Sequence, residues 1–194
     1  MNKKSKQIHD VLAYDNNIKY KNRGMNLEYD INKSNSYYLI NDIAVIHKKP
    51  TPIKPVKFDT KNKVKIVEAY FNIPSTTDYN GIYKGKYIDF EAKETNNRTR
   101  FDLSLIHEHQ LVHLLKVYRH GGISFIIVRF NYYKETYLVL IKFIEQLLTN
   151  NYKSIQYNYI KENCEIIKEN YIPRLDYITV VDKLLIQEGL DEKK

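Results

Sequence analysis

Residues 77 to 95, TDYNGIYKGKYIDFEAKET, restrict the fold of this chain more than any other stretch. Two runs of alternating side chains flank the pairs Asn80-Gly81 and Lys84-Gly85, which predict the positive-φ positions of a turn region and hence an antiparallel hairpin. Downstream, IHEHQLVHLLKVYRH spaces Leu111, Leu114, Leu115 and Tyr118 along one helical face and stops at a Gly-Gly pair. ISFIIVRF reads as a buried strand, and ETYLVLIKFIEQLL as a strand running into a helix. Upstream, Leu27 and Ile31 stand one turn apart with Glu28 beside them, which predicts a short amphipathic helix carrying an inward-leaning acid. IAVIHKK predicts a strand, KIVEAYFNI a second extended segment, YIKENCEIIKENY a helix and YITVVDKLL a closing element. Together these elements predict an α/β fold, a mixed sheet flanked by helices.

A chain of 194 residues with 43% hydrophobic content supports one domain. We expect a flexible basic arm over 1–22, a folded domain over 23–190 and a short tail over 191–194. No apolar run approaches the roughly 20 residues a membrane span requires, and the Lys-rich N-terminus has no apolar signal segment, so a cytoplasmic protein without membrane contact is expected. The single cysteine, Cys164, excludes an intrachain disulfide framework and is expected to be structural.

The net charge of +8 is concentrated in two places. Residues 1–24 carry six basic against two acidic side chains, and residues 47–63 carry six against one. PTPIKPVKFDTKNKV holds three prolines, which bars it from the centre of a sheet, while Val56 and Phe58 alternate as in an extended ribbon. It predicts a protruding basic stalk at about 48–65. Confined cationic excess suits a polyanion whose condensed counterions are released on binding. The competing reading is a solvated tail and loop from a lysine-rich coding bias.

Within the hairpin, residues two apart share a face, so Glu91 and Lys93 point together while Phe90 and Ala92 point the other way. Asp78 falls on the partner strand, where opposed residues approach within roughly 5 Å. Two converging carboxylates suit a hard cation such as Mg²⁺, and a neighbouring lysine offsets charge developing on phosphate, a layout for cleaving phosphodiesters. An acid-any-Lys triplet by itself is more often a solvated ion pair. His109 and His113, one turn apart, lack a third partner for zinc, and HEHQLVH is not the H-E-x-x-H arrangement.

The blocks NRGMNLE, SNSYYL, AVIHKKPTPI, EAYF, STTDYNGIYKGKYIDFEAKET, HEHQLVH and PRLDYITVVD, in this order from residue 22 to about 186, resemble the RecU family of Holliday junction resolvases within the PD-(D/E)xK nuclease superfamily. The resemblance implies a restriction-endonuclease-like sheet and a homodimer that resolves four-way junctions by paired nicks during recombination and DNA repair. It implies Asp78, Glu91 and Lys93 as catalytic residues, with Thr76, Asp78, Glu91 and Gln110 around one or two Mg²⁺ ions that Mn²⁺ can replace. Thr76, two residues before Asp78, shares its face. Gln110, on a flank of the following helix, equally suits an interfacial hydrogen bond. Arg23, Lys48, Lys49, Lys54, Lys57, Lys61 and Lys63 are the candidate DNA contacts. RecA recombinase and a branch-migration motor are partners the family implies. Where the family commonly carries Pro-Lys-Arg-Ser in the ribbon, this chain reads DTKNK, so Lys61 and Lys63 act as point charges without the planar fork of arginine. Two rivals stand beside this reading: a restriction-like or repair endonuclease that cuts duplex DNA, and a DNA-binding protein that cuts nothing.

Overall fold

The computed structural model describes residues 27–59, 65–71 and 76–187. The expected arm over 1–22, Arg23, Lys61, Lys63 and the tail over 191–194 lie outside them. In chain order the elements are α1 (Leu27–Ile40), β1 (Val45–Lys48), β2 (Ile53–Asp59), β3 (Lys65–Phe71), β4 (Tyr79–Tyr83), β5 (Lys86–Thr95), β6 (Arg100–Asp102), a 3-10 turn (Leu103–Leu105) and α2 (Glu108–Arg119). They continue with β7 (Ile123–Phe130), β8 (Glu135–Leu140), α3 (Ile141–Thr149), β9 (Ser154–Gln156), α4 (Tyr157–Asn163), β10 (Glu165–Ile166) and α5 (Tyr177–Gln187). Among the described residues no helix is long and apolar enough to cross a membrane.

Six strands form one sheet in the order β1-β4-β5-β7-β8-β10. β5 and β7 run parallel and every other neighbouring pair is antiparallel, so the predicted mixed α/β sheet is present. β7, ISFIIVRF, is buried at every position, as a strand covered on both faces must be. Its side chains alternate between two cores. Phe125 and Ile127 join Ile88 and Phe90 of β5 beneath α1 and α5, which contribute Leu27, Ile31, Tyr177 and Val181. Ile126 and Val128 face the other way, with Leu114 of α2 and Ile141 and Ile144 of α3. Tyr79, Phe90 and Phe125 stack across β4, β5 and β7 with successive centroids 4.8 Å apart, locking the hairpin to the parallel strand.

The hairpin turns at Lys84-Gly85, with φ of 47° and 74°, between the paired residues Tyr83 and Lys86. Both central positions need positive φ in this tight loop. Asn80-Gly81, expected to belong to the turn region, lies inside β4 instead. Glycine there answers a close approach, because a Cβ on Gly81 would meet the Val45 carbonyl oxygen of β1 at 2.0 Å.

Two further expectations are corrected. The acid of α1 that is buried is Asp30, not Glu28, which is only half-buried and pairs with Lys48. Asp30 faces the buried guanidinium of Arg129 at 2.8 Å, and Arg129 also reaches Glu169 at 3.1 Å, tying α1 to β7 and to the segment after β10. A buried cation of this kind is tolerated only when it is paired. The helix over YIKENCEIIKENY ends at Asn163, because the open edge of β8 takes Glu165 and Ile166 as its last strand. KIVEAYF is extended as expected and is the return strand of the ribbon. β2 and β3 form a separate antiparallel pair, every residue of β2 is exposed, and none of the pair's described side chains enters either core. The ladder shifts after Pro55, which has no N–H to donate. Cys164 is half-buried, and burial pushes its thiol up to about 12, which makes it an unreactive packing residue.

Candidate active site

On β5 the side chains of Asp89, Glu91 and Lys93 alternate with Ile88, Phe90 and Ala92, the apolar set facing the α1–α5 core. The charged set therefore lies on the face that α2 approaches. The register pairs Tyr79 with Phe90, which places Asp78, one residue before β4, level with Glu91. The Asp78 N–H donates to Glu91 Oε2 at 3.1 Å, and Lys93 Nζ stands 2.9 Å from Glu91 Oε1. Lys49, one residue past β1, donates its backbone N–H to the Asp78 carbonyl at 2.7 Å. Asp78, Glu91 and Lys93 are thus brought together as the alternation requires. Glu91 is fully buried, whereas the Lys93 side chain keeps 20% of its surface and Asp78 is half-buried, so the group opens to solvent on one side only.

Burial pushes the Glu91 carboxyl up to about 7, the Asp78 charge adds to this, and the Lys93 ammonium opposes it. A buried acid crowded by a second acid is costly to ionise, and strong perturbation of this sort concentrates at functional sites. Asp78 and Glu91 are the hard oxygen donors here. Among the described residues no cluster of three or more His, Cys, Asp or Glu is arranged to hold a metal. Mg²⁺ needs only one or two carboxylates, since it retains water and takes substrate oxygens for the remainder.

The other candidate residues are placed as follows. Thr76 is half-buried at the start of the segment leading into β4. Gln110 is buried in the first turn of α2, where its Oε1 accepts the His107 backbone N–H at 3.1 Å and so caps its own helix. Lys48 is paired with Glu28 on the surface. Lys49 turns inward, its Nζ 2.9 Å from Asp89. Lys54 and Lys57 are exposed on the ribbon. Arg23, Lys61 and Lys63 lie outside the described residues.

Asp89 was not among the expected residues. It is fully buried and accepts hydrogen bonds from Lys49 Nζ at 2.9 Å, from the Tyr87 hydroxyl at 2.8 Å and from the Thr77 hydroxyl, with His113 Nε2 at 3.0 Å. A carboxylate oxygen only accepts, which makes Nε2 the protonated nitrogen of that ring. The available signal was the spacing Asp89, Glu91, Lys93, which puts a third charge on the same strand face.

The family model described as RecU, Recombination protein U, matches residues 22–183. Proteins named Holliday junction resolvase RecU from Staphylococcus aureus strains JH9, Mu3 and COL are each 49% identical over 181 residues, covering 90% of this chain and 87% of the relative. With its hairpin, paired acids and lysine inside the matched region, this chain belongs to the RecU family.

Proposed function

We propose that this protein is a metal-dependent endonuclease that resolves Holliday junctions by paired nicking during homologous recombination and repair. The observation that carries the reading is the convergence of Asp78, Glu91 and Lys93 at the hairpin, within a chain whose relatives along nearly their whole length are named junction resolvases.

Asp78 and Glu91 would hold Mg²⁺, or Mn²⁺ in its place, with Thr76 and Gln110 as further oxygen donors. The donor set fits: both acids are hard ligands, and their mutual repulsion with the burial of Glu91 is relieved by a divalent cation. When bound, the ion would polarise the scissile phosphate and lower the pKa of water. The chain's own residues do the remainder. Lys93, held 2.9 Å from Glu91 and still partly exposed, presents an ammonium where negative charge grows on the phosphate. The Asp78 backbone, bonded at its N–H by Glu91 and at its carbonyl by Lys49, holds the acid in one place.

The mixed sheet is read as restriction-endonuclease-like, with β4 and β5 carrying the acids and α2 leading into the parallel strand β7. The β2–β3 ribbon is read as a basic stalk, with Lys54, Lys57, Lys61 and Lys63 as contacts to junction phosphates and Arg23 as a further DNA contact. A homodimer would supply two related sites for two related strands. RecA recombinase and a branch-migration motor are the proposed partners, and the cytoplasm is the proposed location.

The test at the site is substitution. Asp78→Ala should abolish junction cleavage while leaving junction affinity nearly intact, because it removes a donor and adds no repulsion toward phosphate. Lys93→Ala should lower the rate at saturating junction, since its charge acts on the transition state. Wild-type cutting by Asp78→Ala would exclude that residue from the site, and a Lys93→Ala defect confined to affinity would reduce Lys93 to a phosphate contact.

A further inference from the structure

We propose that Asp89 is a positioning residue of this site, its carboxylate gathering Lys49, Thr77, Tyr87 and His113 so as to set where Asp78 stands against Glu91. The inference rests on the nuclease reading of Asp78, Glu91 and Lys93.

Its four partners come from separate parts of the fold: the end of β1, the segment before β4, β5 itself and the middle of α2. A fully buried carboxylate is costly unless its charge is paired and its lone pairs are used, and Asp89 meets both conditions. The donors are also bonded to further groups of the hairpin, since Lys49 Nζ donates to Thr77 Oγ1 at 2.9 Å and Asn80 Nδ2 donates to the Tyr87 hydroxyl at 3.0 Å. Removing one therefore loosens the others.

Location gives the network its role. Thr77 immediately precedes Asp78, so the bond from its hydroxyl to Asp89 anchors the chain one residue from the acid. Lys49 carries out two tasks at once: its side chain neutralises Asp89, and its backbone N–H holds the Asp78 carbonyl at 2.7 Å. Asp89 and Glu91 share one face of β5, so Asp78 is fixed against the strand through both. His113 lies on the helix that carries Gln110 one turn earlier, so the same carboxylate ties that helix to the hairpin. Lys49, expected among the DNA contacts, is in this network an internal counter-ion with only 19% of its side chain exposed.

Small displacements of catalytic groups are expensive, about 100-fold in rate for roughly 1 Å. Asp89→Asn preserves shape but removes the charge that holds Lys49. It should cut a four-way junction about 10- to 100-fold more slowly at saturation, with junction affinity unchanged, and bind Mn²⁺ more weakly in spectroscopic titration of the DNA-free protein. Thr77→Val should lose rate in the same direction and Thr77→Ser should recover it. Lys49→Met should lower the rate without altering the salt dependence of junction binding. Wild-type rate and Mn²⁺ affinity in Asp89→Asn would overturn the proposal. So would a Lys49→Met protein that reduces the logarithmic salt slope by about 1 and cuts normally when saturated, the behaviour of a phosphate-binding lysine. If Asp89→Asn does not fold, the Thr77 pair decides: Thr77→Val at wild-type rate overturns the anchoring role. If the wild-type protein cuts no junction, the nuclease reading fails by itself, and the Mn²⁺ affinities of the same variants still judge the positioning.

Discussion

Glu91 bears the heaviest electrostatic load in the site. Its carboxyl is pushed from an ordinary 4.5 up to about 7, first by burial and then by Asp78. If Glu91 holds the proposed Mg²⁺, the ion must displace the proton that this carboxyl carries below about pH 7, so cleavage should fall as pH drops through about 7, and higher Mg²⁺ should move that acid limb to lower pH. A limb that does not move with Mg²⁺ would remove Glu91 from the metal site. The same shift has a consequence for stability in metal-free protein. An acid whose folded pKa is raised favours the folded state at low pH, and that contribution is lost as pH rises from 4.5 to about 7. Glu91→Gln should therefore melt higher than wild type at pH 8 and much the same at pH 4 when Mg²⁺ is absent; equal melting at pH 8 would mean that the burial penalty is met elsewhere. Asp78, Glu91 and Lys93 are legible in the sequence because period-two alternation and hairpin pairing are local rules. The same alternation puts Asp89 on their face, but its partners and the inward turn of Lys49 are not legible, because Lys49 and His113 lie 40 and 24 residues away from that carboxylate. The capping bond of Gln110 is equally hidden, being decided by where α2 begins.

The hairpin and the ribbon make different demands as elements. In β4, Gly81 exists for the passage of β1, and the Lys84-Gly85 turn for its backbone sign. Gly81→Ala should cost roughly 3 kcal/mol or more in denaturant unfolding, because the Val45 carbonyl it meets is sheet backbone that cannot step aside. Gly85→Ala meets no atom, so only the strain of φ 74° opposes it, about 1 kcal/mol. A Gly81→Ala protein as stable as wild type would contradict the β1–β4 packing. In the ribbon, alternation and prolines reveal an extended, non-central element, but its return strand cannot be told from a sheet strand by sequence, since exposed and buried strands share the same β-branched composition. Periodicity likewise extends the helix before Cys164 too far: Glu165 and Ile166 are strand residues only because β8 offers an edge. If the ribbon binds DNA, changing Lys57, Lys61 and Lys63 together to Ala should weaken junction binding and lower the logarithmic salt slope by roughly 1 for each phosphate no longer neutralised. Linear duplex binding should suffer less, and melting and sedimentation should be unchanged. An unaltered slope would leave recognition to the arm or the cleft.

At the scale of the whole molecule, the sheet separates two tasks. One face, under α1 and α5, is the larger apolar core, and the other carries the acids and lysine beside α2. Helix and strand classes are readable from periodicity, whereas the strand order, with β5 and β7 parallel between antiparallel neighbours, arises only from tertiary packing. A junction has two symmetry-related strands to cut, so sedimentation at micromolar concentration should give the mass of two chains of 23.2 kDa. A stable monomer that still nicks both strands would separate resolution from dimerisation. The function proposed for this chain rests on the chemistry of Asp78, Glu91 and Lys93 acting on a branched substrate. The most direct measurement is cleavage of an immobile four-way junction, labelled on each strand in turn, compared with a linear duplex of the same sequence, with and without Mg²⁺. Nicks should appear at symmetric positions on two opposing strands of the junction only when Mg²⁺ is present, with the duplex left whole. Equal cutting of the linear duplex, or junction binding without any metal-dependent cutting, would contradict it.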